Sequence, residues 1–387
     1  MASVIPDVIV ICSEETGLGS LRCLHAAGLK VFAILKSVRD ISIYSRLPVK
    51  KHILTGIEYS DYLQVLELYK GNNIYLLGTN DSHIKLLSEN ALELEEMGYI
   101  LALPPVDLVD SLNDKYTEVR LVESLGIMTP FTLLFSNLKS GDLSGLNYPV
   151  IVKPRMQWHK FLGAKNIVVN DELEMNDLLA SHHDHSEDLI VQKMLDFDAE
   201  SICAFCLFNN SSDLVSCFMF KRIRMSPAYT GVTSYALSYI SDEVRNKVTY
   251  LGKQLGYRGI ADIEFLYDKD SEDYVYIETN PRVTMTLAFA EKNGVNILYD
   301  AYRLFVKNEE IVPKKQKCSH AFLNIFDDAY SQYKNNKSLL EIIKGYININ
   351  SFACTGLYWR YNDPYPAIRK TFSYFHEILL SILKKLR

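Results

Sequence analysis

The chain has 387 residues, of which 48% are hydrophobic and 23% are charged, and this is typical of a folded protein with two or three domains. A formal net charge of −6 argues against a basic nucleic-acid-binding surface. We expect no secretory signal and no membrane span, because neither pattern occurs in the sequence. The seven cysteines are odd in number and scattered, which favours reduced thiols and a cytoplasmic location.

The first part of the sequence alternates predicted strands and helices. An apolar strand at residues 7–12 leads through a Gly-x-Gly turn to a helical stretch at 20–27 and a second strand at 31–35. The order strand, helix, strand implies a parallel sheet. Arg22 stands where a dinucleotide-binding motif needs its third glycine, so the sequence disfavours a dinucleotide-dependent oxidoreductase.

Two polar residues follow the next predicted strand, which ends at Gly78. Asn80 and Asp81 can face a ligand crevice at the carboxyl end of the sheet, or Asp81 merely caps the helix that comes next. The sequence leaves both interpretations open.

Two lysines stand at the ends of predicted elements further along the chain. A helix begins near Lys115, and Lys153 ends the apolar strand 148–154, where its ammonium group can point into a cleft. A single lysine is more often a surface residue. The loop 155–165 contains one glycine and several basic side chains, Lys160 among them, whereas a phosphate-covering loop commonly uses glycines.

The apolar segment 188–195 can offer backbone N–H and C=O groups to a purine edge. Glu200 lies eight residues after Gln192, beyond a turn, and has the side chain needed to hold a ribose diol. This segment is a candidate nucleotide-binding element.

A β-hairpin is predicted where two apolar runs, 260–267 and 274–277, flank a polar turn. Glu264 lies on the first strand and Glu278 closes the second, with Asn280 on the same face as Glu278 by the period of two. Two carboxylates and an amide oxygen suit Mg²⁺, which is commonly held together with nucleotide phosphates. The alternative is that both acids are solvated strand ends.

Taken in order, these pieces resemble the ATP-grasp superfamily over roughly residues 5–310. The matching segments are NDK ending at Lys115, YPVIVKP with Lys153, VQKML, Glu200, DIEF with Glu264, and IETNPR with Glu278, Asn280 and Arg282. The resemblance implies an α/β ATP-grasp fold, in which an N-terminal parallel-sheet domain precedes two α+β lobes that enclose ATP. It implies an N-terminal domain at 1–110, a small lobe at 111–190, a large lobe with the metal site at 191–310 and a C-terminal extension at 311–387.

The resemblance also implies a role for each matching residue. ATP would be bound by Lys115, Lys153, Lys160, Val191, Gln192, Lys193, Met194, Leu195 and Glu200. The ion, Mg²⁺ or Mn²⁺, would be held by Glu264, Glu278 and Asn280. The catalytic residues would be Arg282, Lys153 and Arg222, and an arginine can grip an acyl phosphate or a carboxylate with two hydrogen bonds.

Residues 221–236 narrow the resemblance to relatives of D-aspartate ligase and of the carbamoyl phosphate synthetase large subunit, which often accompany surface polysaccharide synthesis. Arg222 and Arg224 share a face of the predicted strand. Arg224 is either a substrate-binding group or a solvated side chain on an edge strand.

The C-terminal tail predicts an amphipathic helix with a basic end. Its apolar stripe consists of Ile368, Phe372, Phe375, Leu379, Ile382 and Leu386, and its basic end of Lys384, Lys385 and Arg387. The stripe either packs on the protein or a second subunit, or lies on an anionic membrane.

The function implied by the resemblance is an ADP-forming carbon–nitrogen ligase. It would join an amine to a carboxylate through an acyl phosphate, attaching an amino acid to a sugar acid or a lipid-linked saccharide. The alternatives are a ligase for peptides or cell-wall precursors and, because the loop 155–165 is poor in glycine, a nucleotide-binding regulatory protein without turnover. The expected partners are these substrates and a second copy of the chain, without nucleic acid.

Overall fold

The structure, a computed structural model, describes residues 4–138, 143, 145–156, 166–196, 199–228, 231–347, 349 and 354–385. Three β-sheets follow one another along these residues. Each sheet is covered by helices, and each has its own cluster of buried apolar side chains on at least one face.

The N-terminal sheet has five parallel strands. They are β1 (Val8–Cys12), β2 (Val31–Leu35), β3 (Lys50–Ile53), β4 (Ile74–Gly78) and β5 (Tyr99–Ile100), in the order β3-β2-β1-β4-β5. The helices are α1 (Glu14–Ala26), α2 (Tyr59–Leu66), α3 (Asp81–Glu89) and α4 (Ala91–Glu96). Strands β1, β2 and β4 are buried along their whole length, which explains their continuous apolar sequences. The predicted parallel sheet is confirmed, and the loops after β1 and β4 are neighbours at the point where the strand order reverses.

The second sheet is smaller and antiparallel. Two helices, α5 (Val106–Asn113) and α6 (Lys115–Ser124), lead into it. Its elements are β6 (Thr132–Leu134), β7 (Val150–Pro154), β8 (Ile167–Val169), α7 (Glu172–Ser181) and β9 (Leu189–Lys193), with strand order β6-β9-β7-β8. Along β7 and β9, alternate apolar side chains pack in the buried cluster of this sheet. The side chains between them face the rest of the molecule.

The third sheet has seven strands and carries the predicted hairpin. Its elements up to the hairpin are β10 (Ser201–Phe208), β11 (Leu214–Ser226), β12 (Val232–Ser238), α8 (Asp242–Gln254), β13 (Gly259–Asp268) and β14 (Asp273–Asn280). The elements after it are α9 (Leu287–Lys292), α10 (Ile297–Phe305), β15 (Ala321–Leu323), α11 (Ile325–Lys334), α12 (Leu339–Ile347), β16 (Cys354–Gly356) and α13 (Tyr365–Lys385). The strand order is β14-β13-β10-β11-β12-β15-β16, so the hairpin forms one edge of the sheet.

The C-terminal residues complete this sheet and then return to the N-terminal domain. Strands β15 and β16 extend the large sheet beyond β12. Beyond them, Asp363 is fully buried and forms an ion pair with Arg22 of α1. The predicted domain boundaries stay predictions, but residues after 311 are an integral part of the fold.

Candidate active site

A cleft of about 840 Å³ opens between the three sheets. The loops after β1 and β4 form one wall, the small sheet forms a second, and β11, β13 and β14 form the floor. Eleven of the residues predicted from the sequence line this cleft: Lys115, Lys153, Gln192, Lys193, Met194, Leu195, Arg222, Glu264, Glu278, Asn280 and Arg282.

The predicted carboxylates meet on the hairpin at the floor of the cleft. Glu264 of β13 lies directly opposite Glu278 of β14, and two residues further on Asp262 lies opposite Asn280. The pairing shifts by one residue at Ile277, and this bulge lets Ile277 and Glu278 both line the cleft. The period of two and the bulge together aim all four polar side chains into the same space.

Each of the three predicted metal ligands, Glu264, Glu278 and Asn280, has a hydrogen-bond partner within the site. Arg222 Nη2 lies 2.7 Å from Glu264 Oε1, and both side chains are largely buried. Asn280 Nδ2 donates to Glu278 Oε1 over 3.2 Å, and Asn280 Oδ1 accepts from Arg282 Nη2 over 2.9 Å. Fixed partners of this kind hold the side chains in one orientation before a ligand binds.

The donor set fits a metal ion that is shared with phosphates. Within the part of the chain that the structure describes, no three His, Cys, Asp or Glu side chains are grouped to hold a metal by themselves. Glu264 and Glu278 supply two carboxylates and Asn280 an amide oxygen. Mg²⁺ is usually held by one or two carboxylates, with phosphates and water completing its shell, and these residues meet that requirement.

Asp262 is a site residue that the sequence analysis missed. It lines the cleft and is 5% exposed, and its Oδ1 has no hydrogen-bond partner among the described protein atoms. Burial, and then the nearby charge of Glu264, raise the pKa of Asp262 to about 7. The spacing Asp-x-Glu in DIEF, which puts both acids on one face, was the available signal.

Arg282 joins the hairpin to the N-terminal wall. Its Nε lies 2.9 Å from Asp81 Oδ1, while its Nη2 reaches Asn280. Asn80 is the N-cap of α3, because its side chain accepts from the N–H of His83. Asn80, rather than Asp81, therefore caps the helix, and both residues line the cleft.

The two predicted phosphate lysines are held on the small-sheet side. Lys153 Nζ donates to Gln192 Oε1 over 2.7 Å, and Gln192 Nε2 donates to Thr132 Oγ1 over 2.9 Å. Lys115 begins α6 directly after its N-cap, Asp114.

A bidentate contact fixes the start of α6 next to the end of β7. Both carboxylate oxygens of Asp114 accept from the guanidinium of Arg155, and the backbone N–H of Lys115 donates to the carbonyl of Arg155. The motif ending at Lys115 is thereby docked beside Lys153.

The predicted adenine hinge is only partly in the cleft. Val191 is buried and lies between Leu133 of β6 and Val152 of β7, so its backbone is inside the sheet. Met194 and Leu195 follow the end of β9 and line the cleft. The segment from Gln192 to Leu195 is therefore the part of the hinge that a ligand can reach.

Glu200, which was also predicted to bind the nucleotide, is not among the residues that line the cleft. Glu200 Oε2 lies 2.5 Å from Lys221 Nζ, and its other oxygen accepts from the hydroxyl of Tyr274. Lys160 and most of the loop 155–165 lie outside the described residues. The roles predicted for Glu200 and Lys160 stay predictions.

Arg222 and Arg224 have different surroundings although they lie on the same strand. Arg222 lines the cleft beside Glu264. The pairing of β11 with β12 is irregular between the two arginines, and Arg224 forms two hydrogen bonds with the buried carboxylate of Asp328. Arg224 therefore stabilises the contact with α11. The expectation of a solvated side chain on an edge strand is wrong, because β11 lies between β10 and β12 and Arg224 is paired with Asp328.

Known proteins resemble this chain in sequence. The family described as "Carbamoyl-phosphate synthase L chain, ATP binding domain" matches residues 216–309. The carbamoyl phosphate synthase large chain of Pseudomonas syringae pv. tomato is 22% identical over 267 residues, covering 64% of this chain and 23% of that protein. This chain thus spans about a quarter of the length of the curated relatives it matches.

Solved structures resemble it in fold. N5-carboxyaminoimidazole synthetase from Staphylococcus aureus, complexed with ADP, is 14% identical with a TM-score of 0.65, and 85% of each chain is covered. The L-amino acid ligase from Bacillus licheniformis is 14% identical with a TM-score of 0.57, covering 78% of this chain and 74% of that one. These likenesses, together with the three sheets around one cleft, confirm that the chain has the ATP-grasp fold.

Proposed function

We propose that the protein is an ATP-dependent, ADP-forming ligase that joins an amine to a carboxylate through an acyl phosphate. One observation carries this proposal. Five cationic side chains, those of Lys115, Lys153, Lys193, Arg222 and Arg282, line the same cleft as the proposed oxygen ligands of the hairpin. Such a site suits the transfer of a phosphoryl group from Mg-ATP, because that reaction needs charge neutralisation and positioning more than a protein nucleophile.

The small-sheet side and the floor of the cleft have different proposed roles. Lys115 and Lys153 neutralise charge on the phosphates, and the segment from Gln192 to Leu195 holds the base. Glu264, Glu278 and Asn280 hold Mg²⁺, which draws negative charge from the transferring phosphoryl group when it is bound.

We assign the reacting carboxylate to Arg282 and Arg222, which both line the cleft. Arg282 keeps its orientation through Asp81 and Asn280, and its guanidinium stabilises the oxyanion that forms as the amine adds to the acyl phosphate. Arg222, oriented by Glu264, supplies a second positive charge on the floor of the cleft.

The substrate class that we propose is an amino acid as amine donor and a sugar acid or lipid-linked saccharide as carboxylate. The resemblance of residues 221–236 to relatives associated with surface polysaccharides supports it. A ligase for peptides or cell-wall precursors is the nearest competitor, since a structure of similar fold is named an L-amino acid ligase.

A C-terminal apolar surface supports a lipid-linked substrate. Helix α12 buries Ile342 but exposes its other large apolar side chains, and exposed aromatic residues continue along the chain into α13. We use the name C-terminal apolar surface for the exposed large apolar side chains of this region, each at least 44% exposed: Leu339, Leu340, Ile343, Ile347, Trp359, Tyr361, Tyr365, Ile368 and Phe372.

The charge of this region suits an anionic bilayer. Residues 334–387 contain nine Lys and Arg but only three Asp and Glu, although the whole chain carries −6. Exposed aromatic and apolar side chains with nearby basic groups are typical of helices that lie in a membrane interface. The structure has no helix, among its described residues, with the length and hydropathy that crossing a bilayer requires. We therefore propose peripheral binding through the C-terminal apolar surface.

ADP release tests the ligase. Purified protein is incubated with Mg-ATP and pools of amino acids, with and without pooled sugar acids, beside the Glu278→Gln variant. We expect turnover that needs both an amine and a carboxylate, and a loss of at least about 100-fold in Glu278→Gln, because removing one ligand weakens the charge stabilisation supplied by the metal.

The control is Glu272→Gln, which changes an exposed acid in the turn of the same hairpin. It should leave ADP release unchanged. Equal ADP release from wild type and Glu278→Gln would contradict the proposed metal site. Nucleotide binding without turnover in every pool, lipid-linked acceptors included, would favour the regulatory alternative.

Vesicle co-sedimentation tests the membrane proposal. The full chain should sediment with vesicles of phosphatidylglycerol and phosphatidylcholine, and less with phosphatidylcholine alone. Ile368→Asp with Phe372→Asp, two exposed positions, should abolish binding without loss of thermal stability. The membrane proposal would be contradicted if this variant sediments with vesicles as the wild type does. It would also be contradicted if the substitutions disrupt a dimer of the chain instead of vesicle binding.

A further inference from the structure

Glu118 is a buried carboxylate behind the hairpin, and no role above uses it. It lies on α6 three residues after Lys115 and is 3% exposed. Its Oε1 lies 2.5 Å from the hydroxyl of Tyr276 and accepts from the backbone N–H of Thr279 over 2.6 Å. The same hydroxyl of Tyr276 lies 2.8 Å from Thr279 Oγ1.

The contact falls between two of the proposed metal ligands. Thr279 separates Glu278 from Asn280, and because side chains alternate along a strand, its own side chain points away from the cleft and is 2% exposed. Strand β14 is the edge of its sheet, so no neighbouring strand takes the outward N–H of Thr279. The carboxylate of Glu118 takes it instead.

Helix α6 thus touches both sides of the site. Its first residue, Lys115, lines the cleft. One turn later, Glu118 accepts a hydrogen bond from the end of the strand that carries Glu278 and Asn280. The α6–β6 connection follows the same edge, because the N–H of Tyr276 donates to the carbonyl of Met128. The distance between the lysine and the ligands is therefore set by a single rigid element.

We propose that Glu118 is a positioning residue that orients Glu278 and Asn280 towards the metal and keeps them in register with Lys115. This inference rests on the proposed function, because it assigns those residues to Mg-ATP. Outer partners that orient metal ligands typically change metal affinity or activity by about 10–100-fold when they are removed.

Three variants and one control separate positioning from mere stability. Glu118→Ala removes the acceptor, Glu118→Gln keeps an oxygen in place, and Tyr276→Phe removes one donor. The control is Tyr257→Phe, because Tyr257 is buried in the same apolar cluster and its hydroxyl donates to the carbonyl of Ile260, away from the metal ligands.

The measurements are Mn²⁺ binding in the presence of a non-hydrolysable ATP analogue, followed by electron paramagnetic resonance, and the Mg²⁺ concentration for half-maximal ADP release. We expect Glu118→Ala to weaken Mn²⁺ binding at least about tenfold and to raise the half-maximal Mg²⁺ concentration in parallel. Glu118→Gln should stay within about threefold of wild type. Tyr257→Phe should lower thermal stability without changing either metal measurement.

Normal Mn²⁺ binding by Glu118→Ala would overturn the inference and leave the proposed function intact. If Glu118→Ala does not fold, loss of Mn²⁺ affinity in folded Tyr276→Phe, but not in Tyr257→Phe, supports the inference, and equal affinity in both overturns it. Failure of the wild type to bind Mn²⁺ with the nucleotide overturns the proposed function and this inference together.

Discussion

The ion pair between Arg22 and Asp363 should be essential for holding the C-terminal segment to the N-terminal domain. Arg22 is 2% exposed and Asp363 is fully buried, with 2.9 Å between Nε and Oδ2. The other guanidinium nitrogens donate to the carbonyls of Leu357, Tyr358 and Asp363 itself. Asp363 also accepts from a hydroxyl and a backbone N–H of residues 45 and 46, so both charges are fully engaged.

The expected magnitude follows from this burial. Arg22→Met or Asp363→Leu alone leaves one buried charge without its partner, which costs about 3–5 kcal/mol of unfolding free energy. The double variant removes both charges and leaves only neutral polar groups, the Ser45 hydroxyl and several backbone groups, without these partners. The loss of unfolding free energy in the double variant should therefore be about 2–3 kcal/mol smaller than the sum of the losses in the two single variants.

A double-mutant cycle measured by urea unfolding tests this prediction. Hydrogen exchange of the amides in 354–363 should show that the C-terminal segment opens first in the single variants. As a control, the exposed pair of Lys70 and Glu67 should contribute at most about 1 kcal/mol. Additive single losses, or losses no larger than those of the exposed pair, would refute the reasoning.

Three further variants test local packing and titration. Burial lowers the pKa of His83 to about 4, so the stability it contributes is complete above about pH 6.5 and is lost as the pH falls to 4. Urea unfolding at pH 7 and 4.5 should show a loss of about 2–3 kcal/mol that His83→Gln removes. Gly252→Ala should lower the melting temperature, despite the better helix propensity of alanine, because its Cβ would stand 2.0 Å from the ring of Phe208; a stabilised variant would contradict the packing. Asp114→Ala should cost at least about 1 kcal/mol through the lost N-cap of α6, and unchanged thermal unfolding would exclude that contribution.

Local patterns in the sequence were sufficient for several features of the fold. The order of strand, helix and strand at β1, α1 and β2 predicted a parallel sheet, because two strands joined through a helix run in the same direction. The alternation around Glu264 and Glu278 predicted the hairpin and the face on which its acids lie. These features depend on residues close together in the chain, so a short window of sequence contains the necessary information.

Other features depend on partners far away in the chain. Strands β15 and β16 have three residues each, which is too short for a pattern to be recognised. In the sequence, Arg22 was notable only because it stands where a dinucleotide-binding motif has a glycine. In the structure it forms a buried ion pair with Asp363, 341 positions later.

The sequence by itself determined the parallel sheet through the order of its elements, and the hairpin through two apolar runs around a polar turn. The resemblance to the ATP-grasp superfamily predicted the cationic and oxygen-bearing side chains that line the cleft. Only the tertiary structure decided that Arg222 faces the cleft while Arg224 binds Asp328, 104 positions away. It also decided that Asp262 is buried among charges and that Glu118 holds β14 from behind. The physical reason is that burial and the direction of a side chain at an irregular strand are set by the elements packed against it, which periodicity along one strand does not encode.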